Sequence, residues 1–158
     1  MKHGSTLFLK IAVFLMGVSV LALSILLLVD VVKNPANPDY AHILYPIVIG
    51  LFTSVIPFFV ALYQAFKLLN YIDRNEAFSE RSVKHLKNIK VCAIIIGSLY
   101  TVILPFVFLL AQLDDAPGLV IVGMVPIFAS IVIAVFAAVL QKLLQEAINF
   151  KIENDLTV

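Results

Sequence analysis

The chain has no tryptophan and a single cysteine, Cys92, among its 158 residues. One thiol excludes an intramolecular disulfide and a CxxC redox centre, and without partner ligands it makes no metal site. At the head of an apolar run, Cys92 reads as a small packing hydrophobe. Charge is scarce too: Asp, Glu, Lys and Arg make up 13% of the chain, against about 25% in ordinary soluble domains. None of these four occupies the middle of a long apolar run, although intramembrane ionisable residues usually mark proton relays and ion paths. The soluble catalytic signatures GxSxG, HExxH, the P-loop and the Gly-rich dinucleotide turn are absent. His3, His42 and His85 show no ligand-like spacing. Asp114 and Asp115 are adjacent, so on a helix or strand they would point in different directions. These absences argue against an enzyme, and no cofactor or metal is expected.

What the chain has is apolar surface. It is 62% hydrophobic, with a mean hydropathy of +1.07. A soluble domain of this size buries only about two thirds of its surface, so lipid must be the solvent for much of it. Uncharged runs cover 11–29, 40–66, 91–113 and 116–141. Each is long enough for a helix to cross roughly 30 Å of hydrocarbon. In lipid the backbone must satisfy its own hydrogen bonds, which selects helices, and the runs lack the alternation of a membrane strand. The fold class expected is an all-α integral membrane protein. It would be an antiparallel four-helix bundle with spans at about 11–32, 43–68, 91–113 and 116–141, forming one domain over 1–158. The first run is longer than a signal-peptide core, and VDVVKNP is a poor cleavage site, so it reads as a retained helix.

Lys and Arg orient the bundle. An even number of spans puts both termini on one side. That side carries Lys2, Lys10, Lys67, Arg74, Arg81, Lys84, Lys87, Lys90, Lys142 and Lys151, and the other carries Lys33 alone. The positive-inside rule then places both termini and the 67–90 loop in the cytoplasm, giving a multi-pass membrane protein. The outer loops VKNPANPDYAH and QLDDAPG are short connections.

The one strongly charged stretch, NEAFSERSVKHLKNIK at 75–90, joins spans two and three. Span two should run to about Ile72, where DRNEA breaks it. Ser79 suits an N-cap, Phe78 and Val83 have the spacing of a hydrophobic staple, and Glu80 favours the positive helix end. A helix starting over 79–90 should pass without a break into span three. Arg81, Lys84 and Asn88 share one side of it, with Lys87 and Lys90 adjacent. This patch reads either as an anchor to anionic headgroups or as a docking surface for a cytoplasmic partner. It is too small, and too close to Asp73, Glu76 and Glu80, for direct nucleic-acid binding. Beyond span four, Leu140, Leu143, Leu144 and Ile148 recur at helical spacing. The 142–158 tail should leave the bilayer as a helix with one apolar face, packed on lipid or on the 79–90 helix. The final ENDLTV is expected as a frayed or tucked tail.

Within the spans, Pro46, Pro57, Pro105 and Pro126 each remove a helical hydrogen bond and tend to kink the helix. Thr53, Ser54, Thr101 and Ser130 are placed to absorb the freed carbonyls. Kinks at Pro57, Pro105 and Pro126, with Thr101 and Ser130, mark a candidate cavity. Ser130, Ala134 and Ala138, at four-residue intervals, would permit close helix approach or a homodimer.

The segments YIDRNEAFSERSVKHLKNIKVCAII at 71–95, DDAPG with GMVPIFASIVIAVFAAVLQKLL at 114–144, and EAINFKIENDLTV at 146–158 resemble the DUF2975 family of bacterial membrane proteins. The resemblance covers essentially the whole chain. It implies a four-span, non-enzymatic protein of the bacterial cytoplasmic, or inner, membrane without an established activity. Members are often encoded beside a small helix-turn-helix regulator, which implies a cytoplasmic regulator as partner. The docking residues it singles out are Asn75, Phe78, Ser79 and the basic Arg81, Lys84 and Lys87, with Glu153, Asn154, Asp155 and Leu156. The alternative is a small-molecule transporter, channel or membrane sensor with a cavity at the kinked helices.

Overall fold

The computed structural model describes residues 2–33 and 38–156. Residues 34–37, within the first expected outer loop, and the last two residues of the tail lie outside the described residues. Four helices follow in chain order: α1 (Lys2–Lys33), α2 (Pro38–Asp73), α3 (Glu80–Leu113) and α4 (Gly118–Leu156). All four are long and apolar enough to cross a membrane. The protein is an all-α four-helix bundle, as the uncharged runs require.

All four helices extend beyond the apolar runs that define them, α2 to Asp73 and α3 from Glu80 as expected. α1 starts at Lys2, because nothing between Lys2 and Lys10 except Gly4 opposes a helix. α4 continues to Leu156. No glycine follows Gly123 and no proline follows Pro126 in this helix, so the chain has no reason to stop at residue 141. The expected frayed or tucked tail is therefore corrected: Glu153, Asn154, Asp155 and Leu156 form the exposed last turn of α4.

The helices are antiparallel to their neighbours. On α1, Lys10 meets Asp73 of α2 while Gly17 lies against Phe59 and Leu62. On α2, Gly50 lies against Ile103 of α3 and Gln64 bonds Asn88. On α3, Gly97 faces Ser130 of α4 and Glu80 bonds Gln145. Each helix packs on the next, so α2 and α3 form the middle of the bundle and α1 and α4 its flanks. The buried apolar side chains are concentrated on α3, including Val83, Leu86, Cys92 and Ile103. Large apolar residues such as Phe14, Leu26, Val102, Phe128 and Phe136 point outward, which is correct for a fold whose solvent is lipid.

The turns are built by capping. At the end of α2, Asn75 adopts φ 60°, the left-handed conformation that asparagine tolerates better than most residues. Asn75 N–H then donates to Ile72 O at 3.2 Å and Glu76 N–H to Tyr71 O at 2.8 Å. This pair of bonds is a Schellman motif. Asp115, at φ 52°, does the same after α3, with Ala116 N–H donating to Ala111 O at 2.9 Å. That turn delays α4 to Gly118, two residues later than the apolar run suggests.

The three proline-containing helices, α2, α3 and α4, run unbroken through their internal prolines. The expectation that nearby hydroxyls absorb the freed carbonyls is corrected at two sites. Pro57 and Pro105 free the carbonyls of Thr53 and Thr101. Those same residues turn their hydroxyls to the preceding turn, Thr53 Oγ1 to Ile49 O and Thr101 Oγ1 to Gly97 O, each at 2.7 Å. A threonine hydroxyl reaches back one turn along its own helix and cannot reach its own carbonyl.

Candidate functional site

The end of the bundle that carries both termini holds most of the protein's polar chemistry. It is built on the start of α3. Ser79 has extended dihedrals, and its hydroxyl accepts from Ser82 N–H at 3.3 Å. This is the expected N-cap. Ser82 is fully buried and donates to Glu76 O at 3.4 Å, which ties the 74–79 turn to the helix it precedes. Phe78 remains 61% exposed while Val83 is buried, so Phe78 does not close over Val83 as a full staple would.

One side of this helix start faces α2. His85 Nδ1 donates to Gln64 Oε1, which also accepts from Asn88 Nδ2 at 3.3 Å. One amide oxygen of α2 therefore holds two side chains of α3. The His85 ring stacks at a tilt on Tyr71, with centroids 5.4 Å apart. Burial, with Lys67 and Lys84 adding like charge, lowers the His85 pKa below its ordinary value. The ring is then neutral at neutral pH, with its proton on the nitrogen that faces Gln64.

The other side of the helix start faces α4. Gln145 Nε2 donates to Glu80 Oε1 at 3.0 Å and to Asn149 Oδ1 at 3.2 Å. Ile148 is buried and Leu144 is half-buried, whereas Leu140 and Leu143 are exposed. The tail thus packs on the start of α3 through part of its expected apolar face. α1 joins the same end by a polar clasp. Lys10 Nζ pairs with Asp73 Oδ2 at 2.5 Å, Thr6 Oγ1 donates to Asp73 Oδ1, and Lys10 lies over the Phe66 ring at 5.6 Å.

Among the expected docking residues, Arg81, Lys84 and Lys87 are all exposed on α3. Asn75 and Ser79 act as helix caps beside them. Glu153, Asn154, Asp155 and Leu156 are exposed as well, but they lie apart from this patch. The antiparallel register sets Gln145 level with Glu80, so at 1.5 Å per residue the last turn of α4 projects roughly 12–16 Å beyond it. The two halves of the expected surface are thus one basic patch and one separate projecting arm.

Among the expected cavity residues, Thr101 and Ser130 line an open cleft of about 520 Å³ between α3 and α4. Pro57, Pro105 and Pro126 line none of the clefts described here. Ser130 is buried against Gly97 of the same chain, with its Cβ 3.2 Å from where a Gly97 side chain would begin. Ser130 is therefore used within the bundle, between α3 and α4, while Ala134 and Ala138 of the same stripe line open clefts. A second cleft of about 330 Å³ separates α1 from α3, and Ser54 and Tyr100 hydrogen-bond at 3.1 Å on its wall. Among the described residues, no group of three or more His, Cys, Asp or Glu is placed to hold a metal.

Several of these residues were missed in the sequence. Gln64 looks like an ordinary interfacial polar residue until α2 and α3 are set side by side, and Asn88, expected beside Arg81 and Lys84, bonds Gln64 of α2. Lys10 and Asp73 were legible in principle, as opposite charges at the same-side ends of consecutive spans.

The family described as "Protein of unknown function (DUF2975)" matches residues 28–158. The chain is 56% identical over 160 residues to the uncharacterized membrane protein YoaS of Bacillus subtilis (strain 168), covering 100% of both chains. No solved structure matches.

Proposed function

The chain belongs to the DUF2975 family, and from that premise we propose that it is a docking protein that binds or regulates a soluble partner at the cytoplasmic membrane face. The observation that carries this reading is the exposed row of Arg81, Lys84 and Lys87, held on a helix start that is capped by Ser79 and buttressed from both α2 and α4. A rigid basic patch suits a partner with an acidic surface, since charge complementarity steers encounter and sets specificity. A small transcriptional regulator is the partner class that the family resemblance implies. Both termini are cytoplasmic in this reading, because ten of the eleven Lys and Arg residues lie on their side.

The test is crosslinking from the cytoplasmic side of native membranes, followed by purification in mild detergent. A soluble protein recovered with the intact chain should be lost with Arg81→Glu plus Lys84→Glu, provided the variant still inserts. Unchanged capture by that inserted variant sinks the proposal.

A transporter, channel or sensor is the second reading, and the intramembrane Ser54–Tyr100 pair beside a cleft favours it. Ligand-dependent protection of Tyr100 from hydrogen exchange or labelling would support this reading over docking.

A further inference from the structure

Three clefts lie along the seam between α3 and α4, one of them at the end away from the termini, beside Phe108 and Val120, and the other two in the remaining length. The larger of these two, of about 520 Å³, runs past Ile94, Gly97 and Thr101 of α3 and Ile131 and Ala134 of α4. The other, of about 360 Å³, sits at the terminus-bearing end between Val83, Lys90, Ala138, Gln141 and Lys142. Helical geometry makes them one furrow. Val83, Lys90, Ile94, Gly97 and Thr101 follow one another at steps of three, four and seven residues, so they share a face of α3. Ile131, Ala134, Ala138 and Lys142 do the same on α4.

The chemistry of the furrow changes along its length. Its deep part is mostly apolar, with Ser98, Thr101 and Ser130 the hydroxyl-bearing residues in its lining. The one threonine there, Thr101, has its hydroxyl committed to Gly97 O at 2.7 Å. Gly97 and Ala134 keep the floor low. At the outer end, Lys90 of α3 and Gln141 and Lys142 of α4 line the groove. Neither lysine has an ion-pair partner among the described residues. Gln145 is engaged by Glu80 and Asn149. Glu146 lines the groove beyond Lys142, about one turn further from the membrane. Its carboxylate repels an anion seated outward and favours one seated inward, level with Lys90.

The depth of the furrow also matches a lipid. Lys90 to Thr101 spans eleven residues, roughly 16 Å of rise. That is about half of the ~30 Å hydrocarbon core, the depth of one leaflet. We propose that the α3/α4 furrow holds one anionic phospholipid, with its phosphate between Lys90 and Lys142 and one acyl chain in the apolar cleft below. This site uses neither the Arg81, Lys84 and Lys87 patch nor a protein partner, so it stands or falls separately from the docking role.

The test is lipid retention, measured by native mass spectrometry of the chain released from phosphatidylcholine nanodiscs containing phosphatidylglycerol. The intact chain should retain phosphatidylglycerol in preference to phosphatidylcholine. Lys90→Gln with Lys142→Gln should weaken phosphatidylglycerol retention about tenfold or more, with phosphatidylcholine unchanged. Ala134→Leu, which fills the floor, should weaken retention of both lipids. Arg81→Gln with Lys84→Gln removes the same charge from outside the furrow and should change nothing. If the paired lysine variant does not fold, the exposed Lys142→Gln alone serves, with a smaller loss in the same direction. Equal losses from the inner and outer pairs would reduce the site to diffuse surface attraction and overturn it. Unchanged retention in the lysine variants, or no preference for phosphatidylglycerol in the intact chain, overturns it as well.

Discussion

α1 and α3 are both apolar helices of similar length, yet they have different places in the protein. α1 packs on α2 alone, and Thr6 is its one buried side chain among those described. α3 packs on α2 and α4 and buries seven residues, from Ser82 to Ala111. The stretch of α1 that crosses the membrane is nevertheless the more apolar of the two. A helix at the flank meets lipid nearly all round and stays uniformly apolar. A helix in the middle needs small and hydroxyl-bearing residues, so that its neighbours can approach and its polar pairs can form. In a membrane protein, higher hydropathy marks the outside of the bundle.

That contrast can be broken at the centre first. A methyl group at Gly50 would overlap the Ile103 side chain. Gly50→Ala should destabilise the α2/α3 contact by about 1–3 kcal/mol, read as a lower midpoint of thermal unfolding in detergent. Gln64→Leu should have a similar or slightly smaller effect, about 1–3 kcal/mol, because it leaves His85 and Asn88 without their shared acceptor. The same variant should speed hydrogen exchange at the start of α3 while leaving its membrane segment protected. Ser79→Ala removes the cap of α3 and should cost about 1 kcal/mol, again visible as faster exchange over residues 80–83.

Changes at the flank should matter less. Asp73→Asn dissolves the clasp to Lys10 and weakens the bond from Thr6. The partly exposed pair is worth about 1 kcal/mol or less, so the expected result is a small fall in stability and earlier proteolysis of the first turns of α1. Gly17→Ala places a methyl at ordinary contact distance, 3.4 Å from Leu62 and 3.6 Å from Phe59. It should cost nothing measurable. A loss there as large as at Gly50 would show that α1 is as tightly integrated as α3, and the contrast between flank and centre would fail.

Most of the fold was legible because lipid imposes a simple code. Four uncharged runs, short connections and the Ser79 cap predict the helices, their alternation and the start of α3. The ends of α1 and α4 were less legible. Polar residues outside a membrane can be helical or not, and only the lack of a breaker distinguishes the two. The basic patch was visible as residues. Its separation from Glu153–Leu156 was not, because it depends on the register between α3 and α4.

The sequence by itself determined the solvent, the number of crossings and the concentration of charge at one end, since these follow from hydropathy and residue count along the chain. The tertiary structure alone decided that α1 is the flank and α3 the centre, that Gln64 serves both His85 and Asn88, and that Lys90 and Lys142 cap one furrow. Each of these depends on which faces of two helices meet, and residues twenty or more positions apart carry no local mark of that meeting.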